Sequence, residues 1–392
     1  MHINRSGRLA AALIATVVGM FCLASCGQQR APTSQAGQRA QVTDDVDPVA
    51  DFGGSGRDLW VTTPDGSLYL STSGGSSWIR RTPPVSLAGL ATGSYAVAQS
   101  GTSLVWLVAP DHHAETLFVS DNDGRTWPRR TTVRSVPIPT YAQAAVGAYQ
   151  VFAQLLNSRV GFVVLDGYMT AMGGYWTLDE STTSGASFRT TPLPASGPVQ
   201  FSSATQGFLA GGPADHDLYR TTDGSAAWQQ LDVTPPVTAN WVVGFPVSQS
   251  STAVVAPVTV TLANGATELY SMRAPLAAAS PAAATHSASP AGAPLPVGES
   301  SVQVTASGQG RFFAVALNSS RVYTSADSGG SWTAGASKGL PAAGGASVVY
   351  TGPDSAVADV SQITCTHKAN CVFHAALYAT SNDGRLWQHM NF

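Results

Sequence analysis

One eight-residue pattern recurs six times along this 392-residue chain, and it constrains the fold more than any other feature. A hydroxyl residue is followed two positions later by an oxygen-bearing side chain, two further on by glycine, and three after that by an aromatic ring. The copies are Ser71, Ser73, Gly75, Trp78; Ser120, Asn122, Gly124, Trp127; and Ser181, Thr183, Gly185, Phe188. Thr221, Asp223, Ser225, Trp228 come next, then Ser325, Asp327, Gly329, Trp332, and finally Thr380, Asn382, Gly384, Trp387. Only the Ser325 copy has Ser, Asp, Gly and Trp all in place; Ser225 stands where the others carry glycine. A tight hairpin turn needs positive φ, which glycine adopts without steric cost. Asp or Asn in the turn accepts backbone N–H groups, and Ser or Thr does so more weakly. The ring then opens the next strand and packs against the sheet.

The aromatic anchors are 49, 61, 40, 104 and 55 residues apart. The gap of 104 spans two periods, so one unit has lost its turn. Leu269-Tyr270-Ser271 repeats the lead-in seen at Leu68-Tyr69, Leu218-Tyr219 and Leu377-Tyr378. Seven units of about 49 residues predict an all-β fold, a single seven-bladed β-propeller of four-stranded antiparallel blades, with each turn between third and fourth strands. Six blades is the alternative, if the long gap holds a spacer.

These turns resemble the Asp-box, or BNR, repeat. That repeat is carried by sialidases, by the photosystem assembly factor family and by sortilin-type receptors. The sialidase resemblance implies an exo-glycosidase with an Arg-Ile-Pro motif, an arginine triad and a Tyr/Glu pair. No Arg-Ile-Pro occurs here, and Val136-Pro137-Ile138-Pro139 lacks the arginine. Arg80, Arg81, Arg125, Arg129, Arg130, Arg189 and Arg385 lie beside the turns, at the rim. The other two families imply a non-catalytic docking surface for proteins or peptides. No catalytic residue is therefore assigned; a divergent sialidase-like glycosidase is the alternative.

The N-terminus reads as a processing segment. Arg5 and Arg8 precede an uncharged apolar run from Leu9 to Leu23, shorter than a membrane span. It ends Leu23-Ala24-Ser25-Cys26, which resembles the lipobox of bacterial lipoproteins. The resemblance implies a signal peptide over 1–25 and lipidation of Cys26, hence an extracytoplasmic protein anchored to the bacterial cell membrane through its acyl chains. Residues 26–47 are poor in large apolar side chains and read as a flexible tether. The propeller then occupies 48–392, with an Ala/Pro/Ser-rich insertion over about 275–297.

Only 11% of residues are charged, and the formal net charge is −3. That balance excludes the basic surface nucleic-acid binding requires. Cys365 and Cys371 flank His367, with His374 beyond. Cys371 and His374, three apart on a strand, project to opposite faces, which disfavours a zinc site. In an oxidising compartment the two cysteines are expected to form a disulfide. Gly335-Ala336-Ser337-Lys338-Gly339 matches G-x-S-x-G, but it follows Trp332 in an inter-blade connection rather than a strand–turn–helix. No metal or cofactor is implied.

Loops joining second and third strands emerge opposite the turns, and they carry the candidate binding residues. Blade 2 contributes Asp111, His112, His113 and Glu115. Blade 3 contributes a loop over Asp166–Trp176 with Tyr168 and Trp176. Blade 4 adds Asp215, His216 and Asp217, and blade 7 adds His367. The expected partner is an envelope protein or glycan.

Overall fold

The computed structural model describes residues 43–44 and 49–391, leaving aside 64, 86–94, 112–113, 134–151, 158–160, 171–172, 196, 213–214, 251–252, 277–288, 299–301, 308–309, 317–320, 336–337, 342–344, 353 and 368–369. Cys26 and most of the expected tether lie outside the described residues. Strands follow one another as seven sheets along the chain. Blade 4 shows the plan: Val199–Phe201, Gly207–Gly211, Asp217–Thr221 and Gln229–Leu231, each antiparallel to the last.

The sheets close into a ring because each pair of neighbours shares a buried apolar cluster. Trp60 and Trp106 join blades 1 and 2, Leu117 and Ala153 join 2 and 3, and Leu178 and Phe201 join 3 and 4. Leu218 and Val258, then Val255 and Phe312, carry the packing through blades 5 and 6. Phe313 and Tyr350 join 6 and 7, and Leu377 and Phe52 bring blade 7 back against blade 1. The long gap between anchors therefore holds a full blade. Blade 1 (Asp51–Ser55 to Ile79–Arg80) contains only N-terminal strands, and closure combines packing against blade 7 with a two-residue pairing of Thr43 and Asp44 on the edge of that blade. The Gly56 N–H also donates to the Thr351 carbonyl across this seam.

In all six repeats the turn joins the third and fourth strands, and it is built the same way. The hydroxyl at the first position accepts the N–H of the fifth: Gly75 to Ser71 at 2.9 Å, Gly329 to Ser325 at 2.7 Å, Gly384 to Thr380 at 3.1 Å. The third position accepts the N–H of the seventh, whatever its chemistry: Ser73 from Ser77 at 2.9 Å, Asn122 from Thr126 at 3.0 Å, Asp327 from Ser331 at 2.9 Å. Two successive residues, not one, take positive φ. Asp123 and Gly124, Ser184 and Gly185, Ser328 and Gly329, and Asp383 and Gly384 are such pairs. The glycine is demanded by the neighbouring blade as well. A Cβ on Gly185 would lie 2.7 Å from Leu117, and one on Gly384 2.8 Å from Phe313.

The anchor rings are less buried than expected. Trp387 is 2% exposed, whereas Trp78, Trp127, Phe188, Trp228 and Trp332 are half-buried.

Blade 5 has no such turn. Leucine stands three residues before the hydroxyl in blades 1 to 4 and in blade 7, and Leu269 sets that register in blade 5. Met272 then takes the hydroxyl's place and can accept no turn N–H. Instead Thr267–Pro275 runs on, paired with Ala253–Thr261 as far as Ala253↔Pro275. Ser289–Pro290 and Leu295–Gly298 form its outer strand, so the expected insertion includes ordered blade at its C-terminal end.

Candidate binding face

The six turns lie at one end of the ring, and the connections between second and third strands lie at the other. At this second end, three blades extend beyond the rest. Ser103–Asp111 and Ala114–Ser120 of blade 2, Gly161–Thr170 and Gly173–Ser181 of blade 3, and Ala356–His367 and Asn370–Thr380 of blade 7 are long paired arms. Blade 4 pairs only five residues, from Gly207↔Thr221 to Gly211↔Asp217.

This geometry corrects the loop expected over 166–176. Gly167 pairs with Trp176 and Tyr168 with Tyr175, so both candidates sit on strands of a hairpin arm. β-branched and aromatic side chains on alternating positions favour pairing over a loop. Asp111 likewise pairs with Ala114, with Glu115 one residue further along the strand. His112 and His113 lie outside the described residues. His367 pairs with Asn370 near the tip of the blade 7 arm, and Cys365 stands directly opposite Cys371.

Blade 4 gives the side-chain detail. Its short connection puts Asp215 at φ 59, a conformation that costs a non-glycine residue energy. The Asp215 N–H donates to the Gly212 carbonyl at 3.1 Å, closing the loop. That strained residue presents His216 to the next blade, where its ring stacks on Trp241 with centroids 4.3 Å apart and planes 9° from parallel. Asp217 is held in place: Gln230 Nε2 donates to its Oδ1 at 2.9 Å and the Tyr219 hydroxyl to its Oδ2 at 3.5 Å. Burial raises the Asp215 carboxyl above the usual range, against the opposing pull of His216. Trp241 escaped the sequence reading. Its position at the entry of blade 5, directly after the return from blade 4, was the available signal.

The axis is chemically plain by comparison. The described first strands, from Asp51–Ser55 round to Gly345–Tyr350, carry one charged residue, Asp51, whose Oδ1 accepts the Phe52 N–H at 2.9 Å. Gln154 of blade 3 clasps the next blade through Phe201, whose N–H donates to Oε1 at 2.7 Å and whose carbonyl accepts from Nε2 at 2.8 Å. The rim arginines act between blades. Arg129 donates to the Ser184 carbonyl at 3.0 Å, and Arg189 reaches Glu180 and the Gly224 carbonyl, each gripping the following blade's turn. Ser225, in glycine's place, joins this group through Thr191 at 3.1 Å.

Among the described residues no cluster of His, Cys, Asp and Glu could hold a metal ion, and no helix is long and apolar enough to cross a membrane. A cavity of about 20 Å³ between blades 2 and 3, edged by Leu117 and Phe188, has room for about one water.

No protein-family model matches the chain, and no curated protein matches its sequence. Solved structures are similar in shape. One is YCF48 bound to D1 peptide, with a TM-score of 0.50 and 14% identity, covering 79% of this chain and 88% of that one. YCF48 from Cyanidioschyzon merolae matches with a TM-score of 0.50 and 12% identity, over 78% of this chain and 90% of that one. A prolyl endopeptidase structure also reaches 0.50, at 15% identity, over 86% of this chain but 49% of its own. At these identities the likeness is one of fold, and the fold it supports is the β-propeller.

Proposed function

We propose that this chain is a non-catalytic docking protein, held outside the cytoplasm on a bacterial membrane by lipid at Cys26, whose hairpin face binds a protein or glycan partner. The observation that carries this reading is the contrast between axis and face. Among the described residues the strands around the axis bear one charged residue, whereas the face bears a strained Asp215 and a stacked His216–Trp241 pair beside fixed carboxylates. Glycoside hydrolysis needs paired carboxylates at the reacting bond. Docking needs aromatic and polar groups on rigid supports. A propeller of similar fold has been solved with a peptide bound, which supports a protein partner over a sugar. The arm of blade 7, where Cys365 faces Cys371, is stapled by a disulfide in this reading.

Chemical cross-linking in intact envelopes tests the assignment. Trp241→Ser combined with His216→Ala should abolish the partner adduct, while Arg125→Ala at the opposite end should leave it. An adduct lost with Arg125→Ala and retained with the pair would put the site at the wrong end. Labelled palmitate should enter wild type and not Cys26→Ser, and the serine variant should leave the membrane fraction.

A further inference from the structure

The two long strands of blade 7 outrun their neighbours. Among the described residues, the pairing of that blade's first strand reaches Gly345↔Ser361, and the fourth pairs with Leu377–Ala379. Five cross-strand pairs, from Gln362↔His374 to His367↔Asn370, lie beyond the described pairings of both. This stretch contains no carboxylate and no proline, and its single lysine, Lys368, sits at the tip. Exposed edges are normally blunted by charge, proline or a short strand, because unpaired N–H and C=O groups template further pairing. Part of this edge is in fact covered. Thr43 and Asp44 pair in parallel with Val372 and Phe373, on the side where the fourth strand pairs lower down.

We infer that the outer edge of Asn370–His374 is an acceptor for an extended peptide segment of a protein partner, and that residues 43–44 occupy it in cis until such a segment displaces them. This deepens the docking reading above and rests on it for the partner's identity as a protein. Recognition is by main-chain hydrogen bonds, so the guest must be extended and need carry no particular charge. Two paired residues make a weak hold, yet a tethered segment acts at an effective concentration on the order of millimolar. A guest in trans therefore binds weaker in proportion to the time the edge is covered.

The test uses the full chain and a fluorescent synthetic peptide of its own residues 38–48 as probe. Thr43→Pro with Asp44→Pro removes two main-chain donors from the covering segment, outside the propeller core. Successive N–H groups of a strand point to opposite edges, so amide exchange at the outward-facing one of Val372 and Phe373 should rise at least tenfold in the double variant. The one facing Ile363 and Thr364 stays protected, and the melting temperature is unchanged. The probe should bind the variant about tenfold tighter than wild type, and bound probe should restore protection at that outward-facing amide. Unchanged exchange at the outward-facing amide in the variant, or a probe that binds both proteins equally or without protecting that amide, overturns the inference. Because the probe is the chain's own segment, failure here leaves the face of His216 and Trp241 standing as a docking surface.

Discussion

Gly185 and Gly74 both hold positive φ in corresponding turns, yet replacing them should cost different amounts. An alanine at 74 meets open space and pays only for its backbone, about 1 kcal/mol; one at 185 also drives into Leu117, and at least 2 kcal/mol is expected. Equal losses in denaturant midpoint would remove the neighbouring blade from the explanation. The third turn position makes a finer distinction. Asn122 and Asp327 accept the same N–H, so Asp327→Asn should keep that bond and cost less than Asp327→Ala, which should cost about 1 kcal/mol. Burial raises the Asp327 carboxyl, but hydrogen bonds from Ser331 and Ser325 outweigh it and leave it below the ordinary range. Its contribution is therefore present above the unfolded pKa and fades as pH falls through the folded one. Asp179 has the opposite sign. It is fully buried, accepts from Thr190, and its carboxyl is pushed up by burial to about 6. Stability should then fall as pH rises from 3.8 to about 6. Asp179→Asn should raise stability at pH 7, by roughly 2–3 kcal/mol at most, and give no gain below pH 3.8. A gain that persists at low pH would contradict this assignment.

At the scale of the strand and turn, the repeat was legible because every member of it is local. Ser120, Asn122, Gly124 and Trp127 lie within eight residues, and the bonds that shape the turn stay inside it; only the Trp127 indole N–H reaches away, to the Arg81 carbonyl of the preceding blade. The arms were not legible, because a strand that continues past its blade and a polar loop look alike in residues 166–176; only the pairing of Tyr168 with Tyr175 separates them. The His216–Trp241 stack likewise depends on two blades meeting, across 25 positions of sequence. Depth was the other casualty, since the motif names the ring without saying how much of it the next blade covers. Trp387, edge-on to Phe313 at 5.7 Å and 2% exposed, should cost about 3–5 kcal/mol as alanine. Half-buried Trp332, stacked on Phe312 at 6.0 Å, should cost clearly less. Melting curves of the two variants decide the order.

For the whole molecule, the seam between blades 7 and 1 is where the first and last described strands meet, and apart from the two residues Thr43 and Asp44 on the edge of blade 7 no exchanged strand spans it among the described residues. Phe52 and Val349 are buried there in one cluster. Phe52→Ala should cost roughly 3 kcal/mol and raise amide exchange in blades 1 and 7 ahead of blade 4. Uniform exchange around the ring would mean that the seam is no weaker than any other.

Blade 5 leaves the molecule lopsided. From Met272 to Pro275 its strands run on where the other six blades turn back, a projection of roughly 13 Å at the rise of a β-strand. A disc standing on six level feet and one long leg cannot lie flush on a plane. Any broad, flat body that approaches from that end meets blade 5 first and comes to rest tilted, so near-sevenfold repetition still yields a single preferred azimuth.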